Sequence, residues 1–432
     1  MRRFSMLILA AALAVSAARA QAAPPLPPAA STAGTAEALT PAAAVELALA
    51  GNLSLARSRV DLAAAERALA RAWNGAAPGI TLSAGARRSS AMETITLSGS
   101  AGISVTLAPR TLHEIRKARA ALDAQTLAYD TAARSLELEV RKAYYSLALA
   151  RENIAVLRQS LATAQKAYDQ AEAKRKAGLA SELDALSARV NLENLKPGLE
   201  SALTAYETQK ARFKQTLGLD PSAPLELAGS LAEASSISKI ELPVSFGDSP
   251  AVATLRASLE SARVAEAAAR SATRSPSLLL SGSYSPQSTD SGPWKDGGSL
   301  SATLSFSLDS LMPWSAAREA ADKARDAVIK AESQLAEGIV AADISRESLR
   351  RSIEQSLSSL QARRLTVEMA ERSYRLTEEA YAFGTKDVLS LQKAGDTLQE
   401  ARANLLKEAF NLVSALLDLE YALGLPFGTL GR

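Results

Sequence analysis

From Thr111 to Ala177 the chain runs 67 residues without a proline or a glycine. As one helix, rising 1.5 Å per residue, that run would extend roughly 100 Å, about three times the width of a small domain. Within it Leu136, Val140, Ala143, Leu147, Ala150, Ile154, Leu157, Leu161, Ala164 and Tyr168 alternate spacings of four and three, the seam of a coiled coil. Gly178 then interrupts the pattern in "AGLASELDAL", and periodic sequence resumes up to Leu217. The same sequence of events returns 206 residues later: Tyr168, Gly178 and Gly218 recur as Tyr374, Gly384 and Gly424. Ile353, Leu360, Val367, Tyr374 and Tyr381 share one heptad row there, and Leu391, Leu398, Leu405, Leu412 and Leu419 form another on the returning segment. The chain reads as one duplicated unit whose long helices reverse at glycine turns. Pro197-Gly198 is the exception, and predicts a kink or break in the first return helix.

The segments between the helices have a different period. In "TITLSGSAGISVTL", Ile95, Leu97, Gly99, Ala101, Ile103, Val105 and Leu107 alternate with Thr, Ser and Gly. In "SLSATLSFSLD", Leu300, Ala302, Leu304, Phe306 and Leu308 do the same, and shorter runs begin after Pro78 and Pro276. Runs of about ten residues with period two, one face apolar and the other small and polar, suit strands of an outer-membrane β-barrel. A half-buried strand of a soluble sheet has the same alternation. Four strands cannot close a barrel, which needs about eight, and open edges are not tolerated in lipid. Strands that cross a membrane here therefore imply several chains sharing one barrel. Trp294 lies in the longer hairpin loop, while Trp73 and Trp314 flank strand ends, where aromatic anchors sit at an interface and where helix packing also places them.

The fold expected is mainly α with a small transmembrane β part: long coiled-coil hairpins, internally duplicated, plus four strands. Strands are expected at about 79–89, 94–108, 276–286 and 298–309, and helices at 111–177, 181–217, 315–383 and 386–423. The first repeat is then 39–218 and the second 248–424, with a connecting segment at 219–247 and a tail at 425–432. The opening MRRFSMLILAAALAVSAARA has the basic start, apolar run and Ala18-Arg19-Ala20 site of a secretory signal peptide, with residues 21–38 a Pro/Ala-rich arm. An uncleaved anchor is the alternative, for which the apolar run is short. Without Arg2, Arg3 and Arg19 the basic residues fall from 49 to 46, equal to the 46 acidic ones. A near-neutral mature chain gives no electrostatic footprint for nucleic acid. No cysteine is present, so neither a disulfide framework nor a lipidated cysteine is available.

This arrangement resembles the TolC family of outer-membrane efflux proteins. The resemblance runs from "LTPAAAVELALAGNLSLARSRVDLAAAE", similar to the family's opening pattern, to "LLDLEYALGLP", and the glycine turns resemble its two periplasmic tips. It implies a homotrimer with a 12-stranded barrel in outer-membrane lipid and an α-helical periplasmic tunnel, with an equatorial region around its middle. It also implies a periplasmic adaptor, an inner-membrane transporter and a closable entrance, in a passive exit duct for tripartite efflux or type I secretion. The docking tips would be Gly178, Leu179, Ala180 and Ser181, and Gly384, Thr385, Lys386 and Asp387. The entrance gate would involve Asp184, Tyr381 and Lys386, the last replacing the family's arginine, with Ser390 and Lys393 where some members carry an acidic ring. The strand-to-helix junctions depart from the family pattern: "APRTLHE" and "DSLMPWSAA" replace its glycine pair. From strand parity, Leu97, Ile103, Val105, Leu304 and Phe306 are expected to face lipid, and Ser98, Ser104, Thr303 and Ser305 the lumen.

No catalytic, metal or cofactor site is expected. His113 is the single histidine, and Lys117 stands where a zincin motif needs a second one. Ser390-Leu391-Gln392-Lys393 matches S-x-x-K without its companion motifs. Asn52-Leu53-Ser54 is a sequon of no consequence in a bacterial-type exporter. Ordinary solvated coiled-coil flanks are the competing reading of the tip residues. An exported structural coiled-coil protein that bridges or spaces envelope layers is the competing reading of the whole, and it has no use for alternating strands.

Overall fold

A computed structural model describes residues 38–89, 94–231, 249–290, 292–306, 312 and 314–430. The signal-peptide segment, most of the Pro/Ala-rich arm, the later part of the connecting segment and Leu308 lie outside them. The first half runs α1 (Pro41–Gly51), α2 (Leu53–Arg71), a 3-10 turn (Ala72–Ala76), β1 (Gly79–Ser89), β2 (Thr94–Leu107), α3 (Arg110–Lys176) and α4 (Glu182–Leu217). The second runs α5 (Pro250–Arg274), β3 (Ser277–Tyr284), β4 (Gln287–Thr289), β5 (Gly298–Ser305), α6 (Ala316–Ala382) and α7 (Val388–Ala422). Both long helices contain 67 residues.

Burial follows the heptad rows. Leu136, Val140, Leu147, Ile154 and Ala164 of α3 are buried, as are Ile353, Leu360 and Tyr381 of α6 and Leu391, Leu412 and Leu419 of α7. Ion pairs such as Arg141–Glu137 and Arg350–Glu347 lie along the flanks. Pairs that are at least partly exposed on a helix flank contribute little, so the seams carry the helices. One core gathers α1, Leu55 of α2, α3, α4 and Leu227; a second gathers α3, α6, α7 and the tail residue Leu430. The described part of the connecting segment, and the tail, are tied down by polar contacts. Leu39 bridges in parallel to Leu227. Glu152 accepts hydrogen bonds from Ser230 Oγ and Leu231 N, both at 2.8 Å. Buried Glu420 accepts from Gly428 N and Leu430 N, also at 2.8 Å, and so folds the tail back.

Pro197 does not break α4, which continues from Glu182 to Leu217. The proline removes one amide donor, but Glu193 to Pro197 lie mostly on an exposed face, where water can serve the freed carbonyl. The third expected strand is shorter than its alternation suggested. β3 stops at Tyr284, and pairing resumes as β4 only after Ser285-Pro286, because a proline cannot donate to the ladder. β5 ends at Ser305, so Phe306 lies just beyond the strand.

The strands form one antiparallel sheet in the order β1-β2-β3-β5, with β4 beside β2. The register aligns Ile80 with Ile103, Val105 with Leu280, and Leu278 with Leu304. Leu97, Ile103, Val105 and Leu304 therefore share one face with Ile80, Leu82, Leu280 and Leu300. Ser98, Ser104, Thr303 and Ser305 occupy the other. On that polar face serine hydroxyls pair across strands: Ser83 with Ser100 at 2.6 Å, Ser281 with Ser301 at 2.7 Å and Ser283 with Ser299 at 2.9 Å. The apolar face is uncovered within one chain: Ile80 is 81% exposed and Leu300 90%. β1 and β5 are the open edges.

Candidate site at the helix tips

The two hairpin turns are built alike. Gly178 and Gly384 have φ of 72° and 77°, in the left-handed region that glycine enters without side-chain cost. At the first turn, Gly178 N donates to Arg175 O at 3.0 Å and Leu179 N to Lys174 O at 2.8 Å. At the second, Gly384 N donates to Tyr381 O at 3.1 Å and Thr385 N to Ala380 O at 2.9 Å. The return helices then start at capped N-termini. Ser181 Oγ accepts from Asp184 N at 3.1 Å, and Asp387 accepts from Ser390 N at 3.0 Å. The Ser390 hydrogen bonds hold the Asp387 carboxyl below its ordinary range. Leu179 and Phe383 project from the turns, 78% and 85% exposed.

Behind the tips Ala167, Ala171, Ala188, Tyr381, Val388 and Leu391 form a small core that joins all four long helices. Tyr374 packs against it, and burial pushes its phenol up to about 12. Above lies a cavity of about 300 Å³, lined by residues including Gln159, Gln392 and Asp396. Partial burial raises the Asp396 carboxyl, and Gln392 Nε2 is buried without a hydrogen-bond partner.

The proposed gate residues converge only in part. Asp184 completes a capping box: its carboxylate accepts from Ser181 N at 3.1 Å and Ser181 Oγ at 2.7 Å. Its expected bonds to Tyr381 and Lys386 are not among the described contacts of a single chain. The Tyr381 hydroxyl is buried with no partner. Burial raises its pKa first, and the nearby Asp184 charge raises it further. Lys386 and Lys393 are exposed. Sequence reasoning overlooked Lys174. Its Nζ stands 4.1 Å from the Tyr381 ring centroid and donates to the carbonyls of Tyr381 and Ala382, the latter at 3.4 Å. The available signal was charge asymmetry: α3 ends Lys174-Arg175-Lys176, whereas the last turn of α6 has no basic residue.

A β-sheet with a bare apolar face and two open edges, continued by two 67-residue helices that each extend roughly 100 Å, places the chain among membrane proteins that join a small β part to a long helical one. Comparison with known proteins gives the family. The sequence pattern of the outer membrane efflux proteins matches residues 44–219 and 246–425, and the chain belongs to that family. It thereby resides in the outer membrane, with its helical part in the periplasm. Protein CyaE of Bordetella pertussis is 30% identical over 282 residues, a match covering 61% of this chain and 58% of CyaE. Among solved structures, VceC of Vibrio cholerae aligns with a TM-score of 0.73 at 18% identity, over 90% of this chain and 96% of its own. The open state of the Neisseria gonorrhoeae MtrE outer membrane channel aligns with a TM-score of 0.71 at 18% identity, over 88% of each chain. Those two likenesses concern the fold.

Proposed function

We propose that the chain is the passive exit duct of a tripartite efflux or type I secretion system. One observation carries the reading. The single-chain sheet has an apolar face that water cannot accommodate and two unpaired edges that lipid cannot accommodate. Three copies resolve both problems when β5 of each pairs with β1 of the next. Twelve strands then close, with Leu97, Ile103, Val105 and Leu304 turned to lipid, Phe306 beside them at the rim, and the serine ladder turned to the lumen. β1 and β2 contain 11 and 14 residues, enough to cross at a tilt. The reading as a coiled-coil spacer leaves this face unexplained.

The tips are the periplasmic end. Residues Gly178 to Ser181 and Gly384 to Asp387 present small, exposed turns to an adaptor protein, which couples the duct to an inner-membrane transporter. The entrance is held closed by weak contacts among Asp184, Tyr381 and Lys386 of neighbouring hairpins, with Ser390 and Lys393 lining the same level. The unpartnered Tyr381 hydroxyl is the donor that such a contact would satisfy. A partly exposed ion pair such as Asp184 with Lys386 contributes about 0.2–1 kcal/mol, weak enough for a docked adaptor to reverse.

Single-channel recording of the purified protein in planar bilayers tests both levels. A duct conducts once its entrance is freed; stable inserted trimers that pass no current in the wild type or in either gate variant would refute the reading. Asp184→Ala, and Tyr381→Phe combined with Lys386→Ala, are expected to raise conductance without loss of trimers. No change in either variant would remove these residues from the gate.

A further inference from the structure

We propose that Lys174 is a latch that holds the second hairpin tip to the first; the proposal rests on the channel reading above. The long helix α6 ends beside the entrance with a carboxyl-terminal dipole and no basic residue in its last turn. Its final carbonyls form the negative end of the helix. Gly384 N reaches Tyr381 O, and Thr385 reaches Ala380 O through both its amide and its hydroxyl. The remaining positive charge comes from the other hairpin. Lys174 Nζ donates to the carbonyls of Tyr381 and Ala382 while lying over the Tyr381 ring, 4.1 Å from its centroid. One ammonium thus caps a helix and makes a cation–π contact across the gap between hairpins.

Its neighbours are engaged elsewhere. Arg175 and Lys176 both pair with Glu172 on their own helix, at 2.7 and 3.7 Å, and the Arg175 hydrogen bond pulls that carboxyl down to about 2. Lys174 joins no carboxylate among the described ion pairs, so nothing on α3 competes for it. Lys166 of α3 also bridges to Glu378 of α6, at 2.7 Å, but two turns farther from the tip and with its side chain 64% exposed. Lys174 is the cross-hairpin charge at the turn itself. Moving the second tip away from the first breaks all three of its contacts together. The opening step therefore has an obstacle within each protomer, in addition to any contact between protomers.

The test uses full-length purified protein carrying Lys174→Met, which keeps the apolar stem, or Lys174→Arg, which keeps the charge. Hydrogen exchange reads the latch and planar-bilayer conductance reads the gate. With Met, exchange at the Phe383–Thr385 amides should accelerate at least threefold while Gly178 and Leu179 stay unchanged, and mean conductance should rise at least twofold. Arginine should restore both toward the wild-type values. Unchanged exchange at the second tip overturns the latch. Faster exchange with unchanged conductance reduces Lys174 to a helix cap and overturns its role in closure. Inserted trimers that conduct neither as wild type nor with Lys174→Met or the gate substitutions refute the duct, while the exchange experiment still decides whether Lys174 joins the tips.

Discussion

Three glycines end helices with nearly the same backbone, yet replacing them with alanine should have unequal effects. Gly178, Gly384 and Gly218 have φ of 72°, 77° and 75°. A Cβ at Gly178 or Gly384 would meet nothing within 4 Å, so Gly178→Ala loses only the left-handed preference, about 1–2 kcal/mol. At Gly218 the Cβ would lie 2.2 Å from Gly51 O, 2.5 Å from Gly51 C and 2.9 Å from Gly51 Cα. These are backbone atoms at the end of α1, and no side-chain rotation relieves them. The contact is reciprocal, because a Cβ on Gly51 would lie 2.8 Å from Leu217 O. For alanine to fit at 218, α1 must retreat by roughly an ångström, which opens the core formed by Ala48, Leu55, Phe213 and Leu217. It must also strain the Asn52 side chain, which donates to Thr216 O at 2.9 Å and caps α2. Overpacking of this kind costs about 1–3 kcal/mol beyond the backbone term. Gly218→Ala should therefore cost about 2–5 kcal/mol in all. Hydrogen exchange of peptides from α1 and the end of α4 resolves the difference. Gly178→Ala lies at the opposite end of α4 and leaves this site intact, so a local cost of about 2–5 kcal/mol corresponds to opening roughly 30- to 5,000-fold more frequent in Gly218→Ala than in Gly178→Ala. Equal exchange there in the two variants would refute the backbone-contact argument.

Leu300→Arg, on the bare face of β5, should destabilise the inserted protein by roughly 2–4 kcal/mol, while Ser299→Arg, one residue away on the polar face, should cost much less; denaturant titration in lipid vesicles that ranks them equally would reverse the assigned faces. The Asp387 cap carries a pH dependence. Its pKa is depressed by the Ser390 hydrogen bonds, so its contribution is complete above the ordinary aspartate range and disappears as pH falls through the lowered native value. Exchange at the first turn of α7 should rise over that window, and Asp387→Asn, which also caps, should abolish the dependence; a persistent pH response in that variant would assign it elsewhere.

Local sequence determined much of this molecule. Heptad spacing from Leu136 to Tyr168 fixes which stripe of α3 is buried, because side chains three and four apart share a helix face wherever the helix goes. Gly178 and Gly384 mark the reversals because a left-handed residue ends a helix locally. Alternation in 94–107 and 298–305 fixes the two sheet faces because the strand period is two. The β3 break at Ser285-Pro286 was equally local and was available in the sequence. Contacts between distant segments were not legible there. Pro197 argued for a kink or break, but the tertiary setting leaves its turn exposed and the helix continuous. Asp184 has the chemistry of a gate residue, yet in the folded chain its carboxylate closes a capping box with Ser181. Gly51 and Gly218 look like ordinary helix ends until the fold presses their backbones together. Lys174 is one of three consecutive basic residues, and only the packing of α3 against the end of α6 selects it over Arg175 and Lys176. Periodicity is set by the covalent geometry of neighbouring residues, so sequence alone carries it. A partner some 200 residues away is chosen by how whole helices pack, and that was settled only by the tertiary structure.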